Sequence, residues 1–166
     1  MRLSIKEMNE EFAREILDWK YSPPYDLYNN EFSEEALEEL LEESYYAIVN
    51  SEGNLVGYLC TGNTAQVPIG SQFGAYSKDL LDIGIGMNPA LSGQGNGSEF
   101  FSFILKHLLD STSNLTFRLT VATFNKRAIR LYEKHGFAKE MEFNRGSTNF
   151  ITMVREYPIE KKIPFN

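Results

Sequence analysis

The sequence predicts a single mixed α/β domain: a mostly antiparallel sheet with a central parallel strand pair and helices on both faces. Three observations predict it. Hairpin signals stand on either side of the middle, at Ser51-Glu52-Gly53 and at Arg145-Gly146-Ser147. Between them a strand, a helix and another strand follow one another over residues 80–121, and a crossover helix makes its two strands parallel and the connection right-handed. The 166 residues make one ordinary domain, and a hydrophobic fraction of 42% with 13% aromatics is ample for a packed core. The domain is expected over residues 1–157, with a loose tail over 158–166.

Each element has its own signal. Leu3 and Ile5 alternate with polar neighbours, a short strand. Residues 9–19 carry Phe12, Ile16 and Trp19 at helical spacing, and Tyr21 to Asn29 is an aromatic loop holding Pro23-Pro24. Ser33 followed by Glu34 and Glu35 opens an acidic helix that runs to Leu41. Residues 45–50 and 54–61 are β-rich; residues 62–79, rich in Gly, Ser, Gln and Pro, form a long loop of the kind that is often functional. Residues 80–88 form a strand stopped by Pro89. Residues 97–109 put Phe101, Ile104, Leu105 and Leu108 on one helical face, and residues 115–121 alternate Leu115, Phe117, Leu119 and Val121 inward. A helix over 125–135 closes at Gly136-Phe137, and strands follow at about 138–145 and 149–156. The predicted order is β α α β β β α β α β β.

Composition narrows the partners. A formal net charge of −7 leaves no general basic coat for nucleic acid and suits a cationic or amine substrate. One cysteine, Cys60, allows no internal disulfide, which fits a reducing compartment. The first residues reach acidic side chains too soon for a signal peptide, and no apolar run is long enough to span a bilayer, so a cytoplasmic protein without membrane partners is expected.

The segment Asp82-Ile83-Gly84-Ile85-Gly86-Met87-Asn88-Pro89-Ala90-Leu91-Ser92-Gly93-Gln94-Gly95-Asn96-Gly97-Ser98 runs a strand through a glycine loop into an apolar-faced helix. Glycine lets main-chain N–H groups approach a ligand, and a helix N-terminus adds unpaired donors with partial positive charge. Together they form a phosphate cradle that needs no lysine. A Walker loop would need Gly-Lys-Ser/Thr, and a dinucleotide fold would need Gly-x-Gly-x-x-Gly with a later acidic residue; neither is present. The competing reading is a tight strand-to-helix turn, but three glycines in five residues exceed what one turn needs.

A second segment, Val121 to Phe137, sets Asn125 at a helix start, with Ala128, Leu131 and Tyr132 on one face and Lys126, Arg127, Arg130 and Lys134 as local positive charge. By itself it reads equally as a capped amphipathic helix, Asn125 only a cap and Tyr132 only a core aromatic. Taken together, the two segments resemble the GCN5-related N-acetyltransferase superfamily. The matches are Ser92-x-x-Gly95-x-Gly97 and Asn125-x-x-Ala128-x-x-x-Tyr132-x-x-x-Gly136-Phe137, at the family's separation, and the element order fits nearly the whole chain. Ser92 departs from the family's Gln or Arg; a long donor is lost, while the main-chain donors that make most of that contact remain.

The resemblance implies an acetyl-CoA-dependent N-acetyltransferase with a GNAT-like fold, acting on a primary amine by direct attack in a ternary complex, with no metal. It implies that the pantetheine arm lies beside the strand at Met87 and Asn88, with the pyrophosphate on the main chain of Gly93, Gln94, Gly95, Asn96, Gly97 and Ser98. Asn125 corresponds to a contact with the cofactor arm, and Arg130 is placed near more distant phosphate. Tyr132 corresponds to the tyrosine that protonates the leaving thiolate. Asp82 is a candidate base, standing against a solvated strand-end carboxylate and against a water wire to a backbone carbonyl. Trp19, Tyr21, Tyr25 and Tyr28 are candidates for the acceptor wall, Tyr25 and Tyr28 foremost, against simple packing of the loop. The acceptor is a small-molecule or peptide amine, and the protein a monomer or homodimer. Two rivals remain: a non-catalytic CoA-binding sensor or partner module, and transfer from another acyl-CoA. His107, His135 and Cys60 make no metal-ligand cluster in sequence, and no Gly-x-Ser-x-Gly is present.

Overall fold

The computed structural model describes residues 1–42, 44–112 and 116–156. Its elements are β1 (Ser4–Glu7), α1 (Glu10–Asp18), α2 (Glu34–Glu42), β2 (Tyr45–Val49), β3 (Leu55–Thr61), β4 (Leu81–Met87), α3 (Gly97–Ser111), β5 (Phe117–Ala122), α4 (Lys126–Lys134), β6 (Ala138–Arg145) and β7 (Thr148–Arg155). That is the expected order. Leu115 and the tail at 158–166 lie outside the described residues. The strands form one seven-stranded sheet in the order β1-β2-β3-β4-β5-β7-β6, with β4 and β5 parallel and the flanking hairpins antiparallel. Among the described residues, no helix is long and apolar enough to cross a membrane.

The chain divides into two compact units: Met1–Thr64 with Ile85–Phe103, and Ala65–Gly84 with Ile104 onward. In the first, Asn9 caps α1 by accepting from Phe12 N–H at 2.8 Å, and Ser33 caps α2 by accepting from Ala36 N–H at 3.0 Å. Their apolar faces, Ala13, Ile16 and Leu17 from α1 with Leu37 and Leu40 from α2, pack with Trp19, Ala47 and Leu55 into one buried cluster. Each such aliphatic side chain contributes about 1.5–3 kcal/mol when taken fully out of water. Gly57 on β3 is required by packing, because a Cβ there would run into the Gly86 carbonyl and the Phe100 ring.

In the second unit β5 pairs with β7 from Phe117↔Arg155 to Ala122↔Phe150, and β6 closes the edge against β7. The 62–79 stretch, expected as a long loop, is ordered. It contains two 3₁₀ turns, Gly62–Ala65 and Pro68–Phe73. The Tyr76 hydroxyl accepts from Val67 N–H at 2.9 Å and bonds the Thr120 hydroxyl at 2.8 Å. Gly70 fits where a side chain would meet Tyr76 and Phe143.

Candidate active site

The end of β4 and the loop after it are organised by Asn88. Its N–H donates to the Val56 carbonyl at 2.8 Å and its side-chain amide to the Leu55 carbonyl at 3.2 Å. Its side-chain oxygen accepts from Ala90 N–H at 3.0 Å, and its carbonyl accepts from Leu91 N–H at 2.8 Å and Ser92 N–H at 3.1 Å. Asn88, expected beside the cofactor arm, thus spends its own polar groups on bracing the loop. The Met87 carbonyl accepts from the Tyr21 hydroxyl at 2.7 Å.

The loop's side chains turn onto its own carbonyls: Ser92 Oγ to Pro89 at 3.2 Å, the Gln94 amide to Ala90 at 2.8 Å, and the Asn96 amide to Leu91 at 3.2 Å. Gly93 (φ 75°) and Gly95 (φ 83°) adopt the left-handed backbone that glycine enters without steric cost. Among the described hydrogen bonds, none uses the main-chain N–H of Gly93, Gln94, Gly95, Asn96, Gly97 or Ser98. Asn96 precedes α3 and donates its amide to Leu91 instead of capping the first turn. Main-chain donors of this run, Gly97 and Ser98 in the positive end of a helix dipole, are therefore placed to meet an anion. Ser92, used internally, offers no long donor.

In the second unit, Asn125 caps α4 by accepting from Ala128 N–H at 3.1 Å. Gly136 (φ 93°) ends the helix, and Phe137 N–H returns to the Tyr132 carbonyl at 3.0 Å. Phe137 is buried with its ring centroid 6.2 Å from that of Tyr132, which is 7% exposed. This explains the Tyr-x-x-x-Gly-Phe spacing as a helix stop with a hydrophobic clasp. Arg130 is exposed.

Asp82 is neither exposed nor unoccupied. It is 2% accessible; Oδ1 accepts from Arg118 Nε at 2.6 Å, while Oδ2 accepts from the Arg118 terminal nitrogen at 2.7 Å and from Gln66 at 2.9 Å. Parallel pairing sets Leu81 opposite Phe117 and Asp82 opposite Arg118. The remaining Arg118 nitrogen donates to the Ala75 and Lys78 carbonyls at 3.3 and 3.2 Å, and the guanidinium lies 5.0 Å from the Tyr76 ring centroid. The hydrogen bonds that Arg118 donates to Asp82 hold the guanidinium's pKa above its ordinary value. Asp82 is therefore not a solvated strand-end carboxylate; it is buried, and its oxygens are engaged by Arg118 and Gln66.

Tyr25 and Tyr28 bound a short 3₁₀ turn after the cis Pro23-Pro24 bond; Tyr25 is half-buried and Tyr28 exposed. Sequence reasoning missed the roles of Tyr21, Gln66 and Arg118. The only signal for Arg118 is a charge inside an apolar alternation, and its partner becomes visible only once β4 and β5 are set in register.

The sequence model of the acetyltransferase (GNAT) family matches residues 8–137. Among solved structures, a spermidine N-acetyltransferase SpeG chimera from Vibrio cholerae and hSSAT is similar at TM-score 0.66 and 19% identity, over 94% of this chain and 96% of that one. A GNAT-family acetyltransferase from Bacillus anthracis gives 0.68 and 18%, over 94% and 95%. AAC(6')-Ib, solved with paromomycin and acetyl-CoA, gives 0.67 and 16%, over 100% and 99%. No curated protein matches the sequence.

Proposed function

Because the chain belongs to the acetyltransferase (GNAT) family, we propose that it transfers the acetyl group of acetyl-CoA to a primary amine by direct attack in a ternary complex. The observation that carries this reading is the glycine loop from Gly93 to Ser98, left-handed at Gly93 and Gly95 and running into the N-terminus of α3, whose main-chain donors suit a diphosphate. Met87 lends its outward main-chain N–H to the pantetheine arm, a form of strand addition. Asn125 and Arg130 are assigned to the cofactor arm and to outer phosphate charge.

A free alkyl ammonium has a pKa near ~10.4, so the acceptor must lose a proton before it attacks. Asp82 is spent on Arg118, and the proton is therefore assigned to water, passed along to a backbone carbonyl or to bulk solvent. The nitrogen lone pair bonds the thioester carbon, the C–S bond breaks, and the thiolate takes a proton from the Tyr132 hydroxyl. Tyr25 and Tyr28 are assigned to the acceptor side. The likenesses named above include proteins described with spermidine and with paromomycin. Both are polycationic amines, which fits a net charge of −7 on this chain.

The test is to incubate the protein with acetyl-CoA and spermidine, paromomycin or a peptide with a free N-terminus, following thiol release, alongside calorimetric titration with acetyl-CoA. Amine-dependent thiol release is expected. Absence of acetyl-CoA binding would sink the reading, and binding with no turnover on any amine would favour a non-catalytic CoA module.

A further inference from the structure

The peptide unit joining Met87 to Asn88 is held from both ends. The Tyr21 hydroxyl donates to the Met87 carbonyl at 2.7 Å, and Asn88 N–H donates to the Val56 carbonyl at 2.8 Å. The only cis bond among the described residues is Pro23-Pro24, so this one is trans and its C=O and N–H point in opposite directions. Asn88 N–H points at β3; the Met87 carbonyl, with Tyr21 on it, therefore points away from β3. In extended backbone the N–H and C=O of one residue share a direction, so Met87 N–H also faces the edge away from β3.

Tyr21 is itself fixed. Its N–H donates to Asn29 Oδ1 at 2.7 Å, and Lys20 Nζ donates to the Asn30 carbonyl at 2.9 Å, closing the aromatic loop around it. Trp19, two residues earlier, stacks on Tyr58 at 6.3 Å, and the Tyr58 ring fills the space that a side chain at Gly86 would need. This stack seats the start of the loop on β4 one residue before Met87.

We propose that Tyr21 is a positioning residue for the acyl donor, acting through Met87: it holds the last peptide of β4 so that Met87 N–H stays aimed along the edge of β4 away from β3, at the cofactor arm. The proposal rests on the reading above that the arm lies along that edge. Burial pushes the Tyr21 phenol up to about 12, so it keeps its proton and remains a donor at neutral pH.

Tyr21→Phe keeps the ring and removes the donor. Wild type and variant are titrated with acetyl-CoA and, by displacement, with 3′-phospho-ADP, which has the phosphates but no arm. The variant is expected to bind acetyl-CoA about five-fold more weakly, the equivalent of about 1 kcal/mol, and to bind 3′-phospho-ADP as wild type does. Asn29→Ala, which loosens the same tyrosine, is expected to shift acetyl-CoA affinity the same way by less, and carries the comparison if Tyr21→Phe does not fold. Equal weakening for both ligands would reduce Tyr21 to a general structural role and overturn the proposal. So would unchanged or tighter acetyl-CoA binding. If wild type binds neither ligand, the functional reading falls and takes this inference with it; binding by wild type with an unaltered variant sinks the inference alone.

Discussion

Tyr132 has two demands on it. Its carbonyl and ring close the end of α4 against Phe137, while its hydroxyl is assigned to the leaving thiolate. Tyr132→Phe separates them, because the ring and main chain survive the change. Turnover is expected to fall by about 10²–10⁴-fold, the usual worth of general acid catalysis, with acetyl-CoA affinity retained; steady-state rates and calorimetry on one preparation check both halves. Gly95 makes a different demand. Its φ of 83° is left-handed, and a Cβ there meets nothing within 4 Å, so Gly95→Ala costs backbone strain without a clash. That strain is about 1–2 kcal/mol, worth about 2–8 °C of melting temperature in a chain of this length. If instead the loop relaxes to escape it, the donors turn away from the anion. A variant that melts as wild type does and binds acetyl-CoA equally well would refute the argument for Gly95.

At the scale of elements, the segment from Gln66 to Lys78 depends on one arginine. Arg118 gives two bonds to Asp82 and one each to the Ala75 and Lys78 carbonyls, and Gln66 completes the carboxylate. Asp82→Asn leaves the guanidinium buried without a counter-charge, a loss of about 3–5 kcal/mol for a one-sided break. The expected outcome is a large fall in the denaturation midpoint, with new protease cleavage between residues 66 and 79 before cleavage elsewhere; cleavage spread evenly over the chain would contradict the anchoring role. This element also marks where sequence reading stops. Periodicity and caps placed the strands and helices in order, because apolar spacing is local and Ser33 and Asn125 act on neighbours three residues away. The glycine loop was legible because left-handed backbone selects glycine. Asp82–Arg118 spans 36 residues and Tyr21–Met87 spans 66, and no local pattern encodes such pairs. The loop at 62–79 reads as irregular for the same reason: what orders it is Arg118 and Tyr76 meeting distant partners.

The molecule as a whole should be sensitive to alkali before it is sensitive to neutral-range pH. Burial raises the phenols of Tyr21, Tyr45 and Tyr76 above their ordinary value of 10.0, that of Tyr21 to about 12. The folded chain then holds protons that the unfolded chain has already released. Stability is fully present below about pH 10 and falls as pH rises from there through the folded values. The molecule's charge pushes the same way, since a chain at −7 near neutrality gains further negative charge as phenols and lysines lose protons. Denaturant unfolding at pH 8, 10 and 11 is expected to give a free energy that drops beyond pH 10. Tyr21→Phe isolates one contributor: lysine titration and net-charge repulsion remain, and only the buried phenol is gone. Its curve should start lower, for want of the Met87 bond, and decline less steeply between pH 10 and 11 than that of wild type. Parallel curves would mean that this phenol does not remain buried and bonded to Met87 in solution.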